Sequence, residues 1–367
     1  MPKTASLQIL TPVSLQVVLD RLRAYAFNSS HFVWMLSDFT FVQSTTGWIF
    51  ALEKKWGVTL VALEPLPPYP YFLDQDFFQA LEELHFSVQG AVAFVAIGPT
   101  FAKLLAQASY SNLQIGKEPW VHLSSFQPTG KKSRGLRAAK KRALLNGIKV
   151  EQWNLNDILR KPELKKQVDA LHQSWVTNTF VSLQGFLLAT DPWKLTHDRI
   201  CFIAFNPDRK VQGVLIATPL ARQLDWYLED LWLGSSGVGI AELLTLEAFQ
   251  KLKNLGAEKV SLGLIPLTDL GFRSLANHSN AKKPWIFASS IRVLSAGVKT
   301  FYNAEGMIGF RKRFKIGHWQ PAYLSVRTTN VGFYFRSLHW AHVLAAIFLA
   351  HKPKFYWQNL FKKKYKA

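Results

Sequence analysis

The stretch from residue 200 to residue 263 places the tightest limit on how this chain can fold. Three apolar runs of strand length are followed by a glycine-containing loop, a long helical pattern and a further apolar run. These elements are predicted at Ile200–Asn206, Gly213–Leu220, Leu224–Leu233, Gly239–Leu255 and Lys259–Gly263. Strands that alternate with a helix in this way predict a mixed α/β fold, with helices packed on a sheet.

The chain is long enough for two domains of ordinary size, because it has 367 residues of which 49% are apolar. Its first third contains another alternation of helices and strands, including a helix at Ser14–Phe27 and a buried strand at Ala91–Ile97. We therefore predict an N-terminal domain at 1–115, a second domain at 116–327 and a tail of different composition at 328–367.

Net charge points most directly to a class of partner. Lys and Arg number 44 against 24 Asp and Glu, which gives a formal charge of +20. Folding does not require such an excess, so it predicts a polyanionic partner: a nucleic acid, an anionic membrane or both. A basic enzyme without such a partner is the alternative. The single cysteine, Cys201, lies in a strand-like run and is predicted to be a core residue.

The tail combines aromatic and basic residues as membrane-interfacial segments do. Phe333–Ala350 is apolar but interrupted by Arg336, His339 and His342, and its uninterrupted part is too short to cross a bilayer. The residues after it set aromatic rings among lysines. The candidate membrane-binding residues are Trp357, Phe361, Lys362, Lys363 and Lys364. A docked C-terminal helix with a solvated basic tail is the alternative.

A strongly basic helix is predicted around residue 138. Arg134, Arg137 and Lys141 are three and four residues apart, so they share one helix face. Like charges at this spacing repel one another unless an anion lies along them. The stripe therefore predicts contact with a phosphate of a nucleic acid or of a lipid, and a solvated face is the alternative.

A pair of carboxylates ends the third strand of the opening stretch. Glu229 and Asp230 are followed by a glycine turn and then by the start of a helix, whose N-terminus can bind phosphate. Asp230 is a candidate general base at this place, and an acid that caps a helix or forms an ion pair is the alternative. The glycines of 234–239 also suit a CoA-dependent acyltransferase, in which such a loop grips a pyrophosphate.

Residues 301–324, FYNAEGMIGFRKRFKIGHWQPAYL, mix aromatic side chains with cations. Cations attract phosphates, and aromatic faces can stack with bases. The order of these residues resembles the C-terminal signature of the bacterial phosphatidylglycerol lysyltransferase (multiple peptide resistance factor) family. The resemblance extends back to Ile115 through the segments IGKE, GKKSRGLR, GIAELL and SLGLIPL.

That resemblance implies tandem GNAT-like acyltransferase domains and an aminoacyl transfer from aminoacyl-tRNA to a head-group hydroxyl of phosphatidylglycerol or a related lipid. It implies Asp230 as the base and Tyr302 as a donor to the oxyanion or to the leaving oxygen. The substrate-binding residues that it adds to the basic stripe are Glu242, Ser261, Asn303, Arg311, Lys312 and Arg313.

The same resemblance implies two partners, aminoacyl-tRNA and an anionic phospholipid membrane, and a peripheral position on the cytoplasmic face of the cell membrane. It implies no metal and no cofactor, because aminoacyl-tRNA itself carries the group to be transferred. Two alternatives come from other classes: a CoA-dependent GNAT N-acyltransferase, and a non-catalytic protein that binds tRNA or membrane.

Overall fold

The structure, a computed structural model, describes residues 10–69, 74–88, 90–178, 191–220, 224–234, 238–273, 304–327 and 333–348. Within these residues the strands form one mixed sheet, and helices pack against it. The predicted mixed α/β class is confirmed. No helix in these ranges combines the length and the apolar character that crossing a membrane requires.

The first half of the sheet is built from local signals that the sequence contains. Ser14 caps the first helix by accepting a hydrogen bond from the N–H of Val17, and Pro99 opens another helix at its first turn. The elements are β1 Thr11–Pro12, α1 Leu15–Tyr25, α2 Val33–Leu36, β2 Thr40–Gln43, β3 Ile49–Lys55, β4 Val58–Ala62, α3 Asp74–Ser87, β5 Ala91–Ile97 and α4 Pro99–Gln107.

The second half follows the order of strands and helix that the opening stretch predicts. An antiparallel meander leads through a helix into a strand that pairs in parallel with the last strand of the meander. The elements are β6 Tyr110–His122, α5 Arg134–Leu145, β7 Lys149–Asn154, α6 Leu155–Leu159, α7 Pro162–Asn178, β8 Ile200–Phe205, β9 Val211–Pro219, β10 Asp225–Leu233, α8 Ile240–Asn254, β11 Lys259–Ser261, β12 Ile265–Arg273, α9 Ala304–Lys312, β13 His318–Arg327 and α10 Phe333–Phe348.

Two long strands join the halves into one sheet. The sheet order is β1-β2-β3-β4-β5-β13-β6-β11-β10-β9-β8-β7, and β12 also pairs with β6. β13 pairs with β6 along its whole length and with β5 through Tyr323–Val326. The predicted boundary at residue 115 therefore falls inside β6, and the division of the chain into folding units stays a prediction.

The sheet opens where β11 ends. β10 and β11 pair only through Asp225–Tyr227, and β11 pairs with β6 only through Trp120–His122. Beyond Ser261 the chain leaves this ladder, whereas β10 continues to Leu233. The later residues of β10 thus have no partner on β11, and the two strands diverge beyond this point.

The last helix, α10, packs into the core of the first half. Trp340, Val343 and Ala346 are at most 2% exposed and share a hydrophobic cluster with Leu22 of α1 and Trp34 of α2. We predicted residues 328–367 to be a membrane-interfacial helix with a basic tail. The buried face of the helix is instead used inside the protein, and the membrane-binding residues of the tail lie outside the described ranges.

Candidate functional site

A buried glutamate lies where the two halves of the sheet meet. Glu118 of β6 is only 5% exposed. It accepts hydrogen bonds from Ser261 of β11 and from Ser29 after α1. Burial raises the pKa of the Glu118 carboxyl, while these hydrogen bonds and the charge of Arg311 act in the opposite direction. We call this group, with Ser261 and Arg311, the Glu118 centre.

Ser261 holds its place in this centre through two hydrogen bonds. Its hydroxyl donates to Glu118 and accepts from the backbone N–H of Gly263 at 2.9 Å, and the residue is fully buried. We predicted Ser261 to contact substrate. The geometry gives it a positioning role instead, because the hydroxyl is committed to two protein groups and is closed off from solvent.

Gly263 lets three groups approach one another closely. Its φ is +82°, which favours glycine. A methyl group at this position would come within 2.9 Å of the ring of Tyr227 and 3.5 Å of the guanidinium of Arg311. The predicted residue Arg311 is thereby placed at the end of β11, beside Glu118 and beside the β10 strand.

Asp230 lies on the strand that borders the opening in the sheet. Its backbone pairs with Ile216 of β9 just after a register irregularity at Leu228, and it is three residues beyond Tyr227, the last residue of β10 that pairs with β11. Three residues of strand correspond to about 10 Å. Of this residue the structure describes the backbone and not the side chain, so its role as a base stays a proposal.

The helix that follows β10 is tied to the end of α9. Glu242 in the first turn of α8 is 7% exposed and forms an ion pair with Arg313. Arg313 is therefore braced against the protein, while its neighbour Lys312 is exposed. The pair fixes the cationic end of α9 over the start of α8.

The predicted basic helix is α5, and it packs against α8. Leu136, Ala139 and Ala143 face inward, and a methyl group on Gly239 would collide with the carbonyl of Ala139. Lys140 forms an ion pair with Glu247 of α8 at 2.9 Å. The close packing of α5 on α8 thus accounts for the glycine at position 239. Phosphate binding by the 234–239 loop, as in the CoA interpretation, is not needed to explain it.

A second glycine of that loop is also engaged in the fold. The N–H of Gly234 donates to the carbonyl of Gln212 at 2.9 Å, so it is not open to a phosphate. The N–H of Gly234 is therefore not available to the kind of pyrophosphate site that the CoA interpretation needs.

The three predicted cations of α5 are exposed but not equivalent. Arg134 and Lys141 extend from the outer face. Arg137 donates to the carbonyls of Pro128 and Gly130, both at 2.9 Å, so it braces the loop before the helix. Arg134 and Lys141 are the better candidates for contact with a phosphate.

A hydrogen bond joins the loop before α5 to the segment that follows α9. Lys315, just after α9, donates to the carbonyl of Gln127 at 2.7 Å, in the loop that leads to α5. The two groups of predicted cations, on α5 and at the end of α9, thus belong to adjoining segments.

A second buried carboxylate lies in the first half, and the sequence analysis did not select it. Glu64 is 2% exposed and accepts from the N–H of Gly98 at 2.5 Å and from the amide of Asn28 at 2.8 Å. Burial raises its pKa to about 7, and the charge of Glu118 adds to the shift. A small cavity lined by Asn28, Gly98 and Glu118 lies between the two carboxylate regions.

His31 lies beside Asn28 and Glu64 and is a neutral side chain. The N–H of Asn28 donates to its Nδ1 at 3.1 Å, and its Nε2 donates to the carbonyl of Glu64 at 3.0 Å. Burial lowers the pKa of His31 to about 4. The only sequence signal for Glu64 is its position directly after the apolar strand VTLVAL, and for Glu118 the motif IGKE.

Several predicted residues cannot be located. Tyr302, Asn303 and all five membrane-binding residues of the tail lie outside the described ranges. Cys201 is fully buried, and burial raises the pKa of its thiol to about 12, as suits a core residue. Among the described residues no three His, Cys, Asp or Glu side chains are grouped as metal ligands would be.

Comparisons with known proteins agree with one another. A model of the family described as phosphatidylglycerol lysyltransferase, C-terminal, matches residues 20–326. A phosphatidylglycerol lysyltransferase from Bacillus subtilis (strain 168) is 25% identical over 329 residues, which cover 86% of this chain and 36% of that protein. The chain thus spans little more than a third of the length of this relative.

Two solved structures share the fold. One, named L-PGS, is from Bacillus licheniformis, with a TM-score of 0.70, 19% identity and coverage of 92% of this chain and 97% of that chain. The other is the C-terminal domain of a protein described as a lysylphosphatidylglycerol synthetase from Agrobacterium fabrum, with a TM-score of 0.68, 16% identity and coverage of 90% and 95%. At these identities the likeness concerns the fold alone, and the predicted GNAT-like class is confirmed.

Proposed function

The chain belongs to the family of phosphatidylglycerol lysyltransferase C-terminal domains, and on that premise we propose that it transfers an aminoacyl group from aminoacyl-tRNA to a lipid. The acceptor is a hydroxyl of the phosphatidylglycerol head group or of a related anionic lipid. The observation that carries the proposal is the family match over 20–326, a range that includes the whole Glu118 centre, α5 and the opening beside β10.

The proposed reaction exchanges one ester for another. The lipid hydroxyl attacks the ester carbonyl of the aminoacyl group, loses its proton to a base, and the tRNA 3′ oxygen leaves with a proton. The bond energies on the two sides are similar, so the protein contributes mainly by holding two large anionic substrates in the reacting geometry. A weakly nucleophilic hydroxyl also benefits from a positioned base.

The roles of the residues follow from their positions. Asp230 is the proposed base, because β10 carries it past the end of the β11 ladder to the border of the opening. Arg311 supplies positive charge beside that opening. Glu118 and Ser261 hold Arg311 and the end of β11 in place rather than react. Tyr302, as the proposed donor to the oxyanion, precedes α9 in the chain.

The basic surface accounts for the two substrates. Arg134 and Lys141 on α5 and Lys312 at the end of α9 are exposed cations on adjoining segments. Such cations bind phosphates through a salt-sensitive attraction, which suits an RNA backbone and an anionic head group alike. The proposal places the protein at the cytoplasmic face of the cell membrane, where aminoacyl-tRNA is present.

The test is transfer by the purified chain. Vesicles that contain phosphatidylglycerol are mixed with tRNA charged with radiolabelled amino acids, and the label that moves into the organic extract is identified by mass spectrometry. We expect an aminoacyl lipid whose formation is abolished by ribonuclease and strongly reduced by Asp230→Asn. Release of label only as free amino acid, or acyl transfer from acyl-CoA without tRNA, would overturn the proposal.

A further inference from the structure

Two leucines protrude from the C-terminal end of the basic helix. Leu144 is 50% exposed and Leu145 is 74% exposed, although α5 is a packed helix whose inner face is fully used. Large apolar side chains of this exposure cost free energy in water unless something covers them. Within the described residues, this is the place where two adjacent exposed leucines end a helix with a cationic outer face.

The leucines continue the same helix face as the cationic stripe. They come three and four residues after Lys141, which itself shares a face with Arg134 and Arg137. The outer face of α5 therefore changes along its length from cations to leucines. A purely RNA-binding helix would have no use for the leucines, because phosphates and sugars do not cover apolar surface.

Further cations surround the end of the helix. Arg142 and Lys149 are exposed on either side of the Asn146–Gly147 turn. A methyl group on Gly147 would collide with Pro207, so the turn that carries Lys210 lies directly against this end of α5. Of the acids in this area, Glu151 is paired with Arg209, and Asp208 is the exposed one. The leucines are thus set in a rim of net positive charge.

We propose that this end of α5, formed by Leu144 and Leu145 with the rim Lys141, Arg142, Lys149 and Lys210, docks on the surface of an anionic bilayer. Leucines that enter the acyl boundary and cations at head-group level are the two components of interfacial binding. A second copy of the chain fits the patch less well, because a symmetric pairing would set each cationic rim against another.

If this end of α5 docks on the bilayer, the cationic stripe of the helix runs away from the membrane surface. Leu144 and Leu145 would mark the membrane end, and Arg134 lies about three turns of helix away from it, toward the loop that Lys315 contacts. The patch uses none of the predicted membrane-binding residues of the tail. The inference concerns how the chain reaches a bilayer, and it can be measured without turnover.

The single buried cysteine makes a local measurement possible. Cys201 is fully buried, so a cysteine introduced at the surface can be labelled selectively. A polarity-sensitive fluorophore is attached in the Leu145→Cys variant and, as a matched control, in Leu15→Cys, where the native leucine is 60% exposed on α1. Each labelled protein is mixed with vesicles of phosphatidylglycerol and, separately, with vesicles of phosphatidylcholine alone.

We expect a blue shift of emission and quenching by brominated acyl chains at position 145 with the anionic vesicles, and neither change at position 15. We also expect Leu144→Ser together with Leu145→Ser to weaken vesicle flotation of the full chain about tenfold, while Leu15→Ser leaves it unchanged. An unchanged spectrum at position 145 would overturn the proposal. A shift that appears without vesicles and grows with protein concentration would assign the patch to a second copy and would also overturn it.

Discussion

Ser261 of β11 donates its hydroxyl proton to the buried carboxylate of Glu118 on β6, across 143 residues of sequence. This hydrogen bond closes the sheet at the last residue of β11, immediately before the strands diverge. Glu118 also accepts from Ser29, which belongs to the first half of the molecule. One carboxylate thus links both halves to the border of the proposed active site.

Replacement of Glu118 tests its positioning role. Glu118→Gln keeps the shape but sets an amide in place of the carboxyl that accepts from Ser261 and faces Arg311, so we expect kcat to fall by about 10- to 100-fold, the equivalent of one lost hydrogen-bond partner. Since the residue acts through Arg311, Arg311→Lys should lower kcat in the same direction, and the double variant should lose less than the product of the two effects. Fully multiplicative losses would show that the two residues act independently.

Glu64 should give the protein a distinctive dependence of stability on pH. Its pKa in the folded protein is raised to about 7 by burial, so the folded state holds a proton that the unfolded chain releases above its ordinary pKa. The contribution of Glu64 to stability is therefore present at low pH and is lost as the pH rises toward 7. Relative to Glu64→Gln, the native chain should lose about 3 kcal/mol of unfolding free energy between pH 4.5 and 7.

His31 supplies a control of opposite sign. Its pKa is lowered to about 4. Between pH 4 and 6.5 the unfolded chain therefore carries a proton on His31 that the folded state does not carry. Relative to His31→Gln, the native chain should gain stability as the pH rises through that range. Urea unfolding at several pH values measures both differences. Parallel pH profiles for the native chain and both variants would contradict the burial of this pair.

The exposed cations of α5 should contribute to RNA affinity. Arg134→Gln with Lys141→Gln removes two exposed cations from the outer face of α5, and we expect weaker tRNA binding and a salt dependence reduced by about two counter-ions. Lys103→Gln with Arg160→Gln removes the same charge from exposed positions on α4 and beside α6. Filter binding at several salt concentrations compares the pairs. Equal losses from both pairs would indicate a general charge effect without a defined RNA surface.

The last helix should be required for folding. Trp340 is 2% exposed in the core of the first half, so Trp340→Ala should cost about 3–5 kcal/mol of unfolding free energy. Leu338→Ala, on the same helix but 67% exposed, should cost much less. Denaturant unfolding measures both values. Similar small losses would mean that α10 does not dock as the structure has it.

A deletion that tests the tail must keep α10, because this helix contributes to the core. Removal of everything after Thr328 would take away core residues, whereas a chain that ends at Phe348 keeps α10 and loses only the lysine-rich segment. The shorter deletion therefore isolates the predicted membrane-binding residues of the tail from the stability of the fold.

Helices and strands could be predicted from local sequence patterns, whereas the pairing of strands that are distant in sequence could not. The run of strands from Ile200 to Leu233, the α8 helix and the short β11 strand follow from hydrophobic spacing, turns and glycines within a few residues. The length of β6 was missed because Gly116 and Pro119 interrupt its pattern. Gly116 is needed there, since a side chain would collide with the carbonyl of Ile265 on a paired strand.

The site was predicted in parts for the same reason. Arg311, Arg313 and Glu242 were selected because they lie in segments that resemble the lysyltransferase family. Glu118 and Glu64 were not selected, because a carboxylate in an apolar strand reveals its burial only through partners that are distant in sequence. The apolar pattern of α10 is equally compatible with a membrane surface and with a protein core, and only the packing against α1 distinguishes them.

We propose that this chain makes an aminoacyl lipid with aminoacyl-tRNA as the donor. The most direct measurement is mass spectrometry of the lipids from cells that express the chain, from cells that do not, and from cells that express Asp230→Asn. We expect a phosphatidylglycerol species heavier by one aminoacyl group, present only with the native chain. Identical lipid profiles in all three, with the protein folded and abundant, would contradict it.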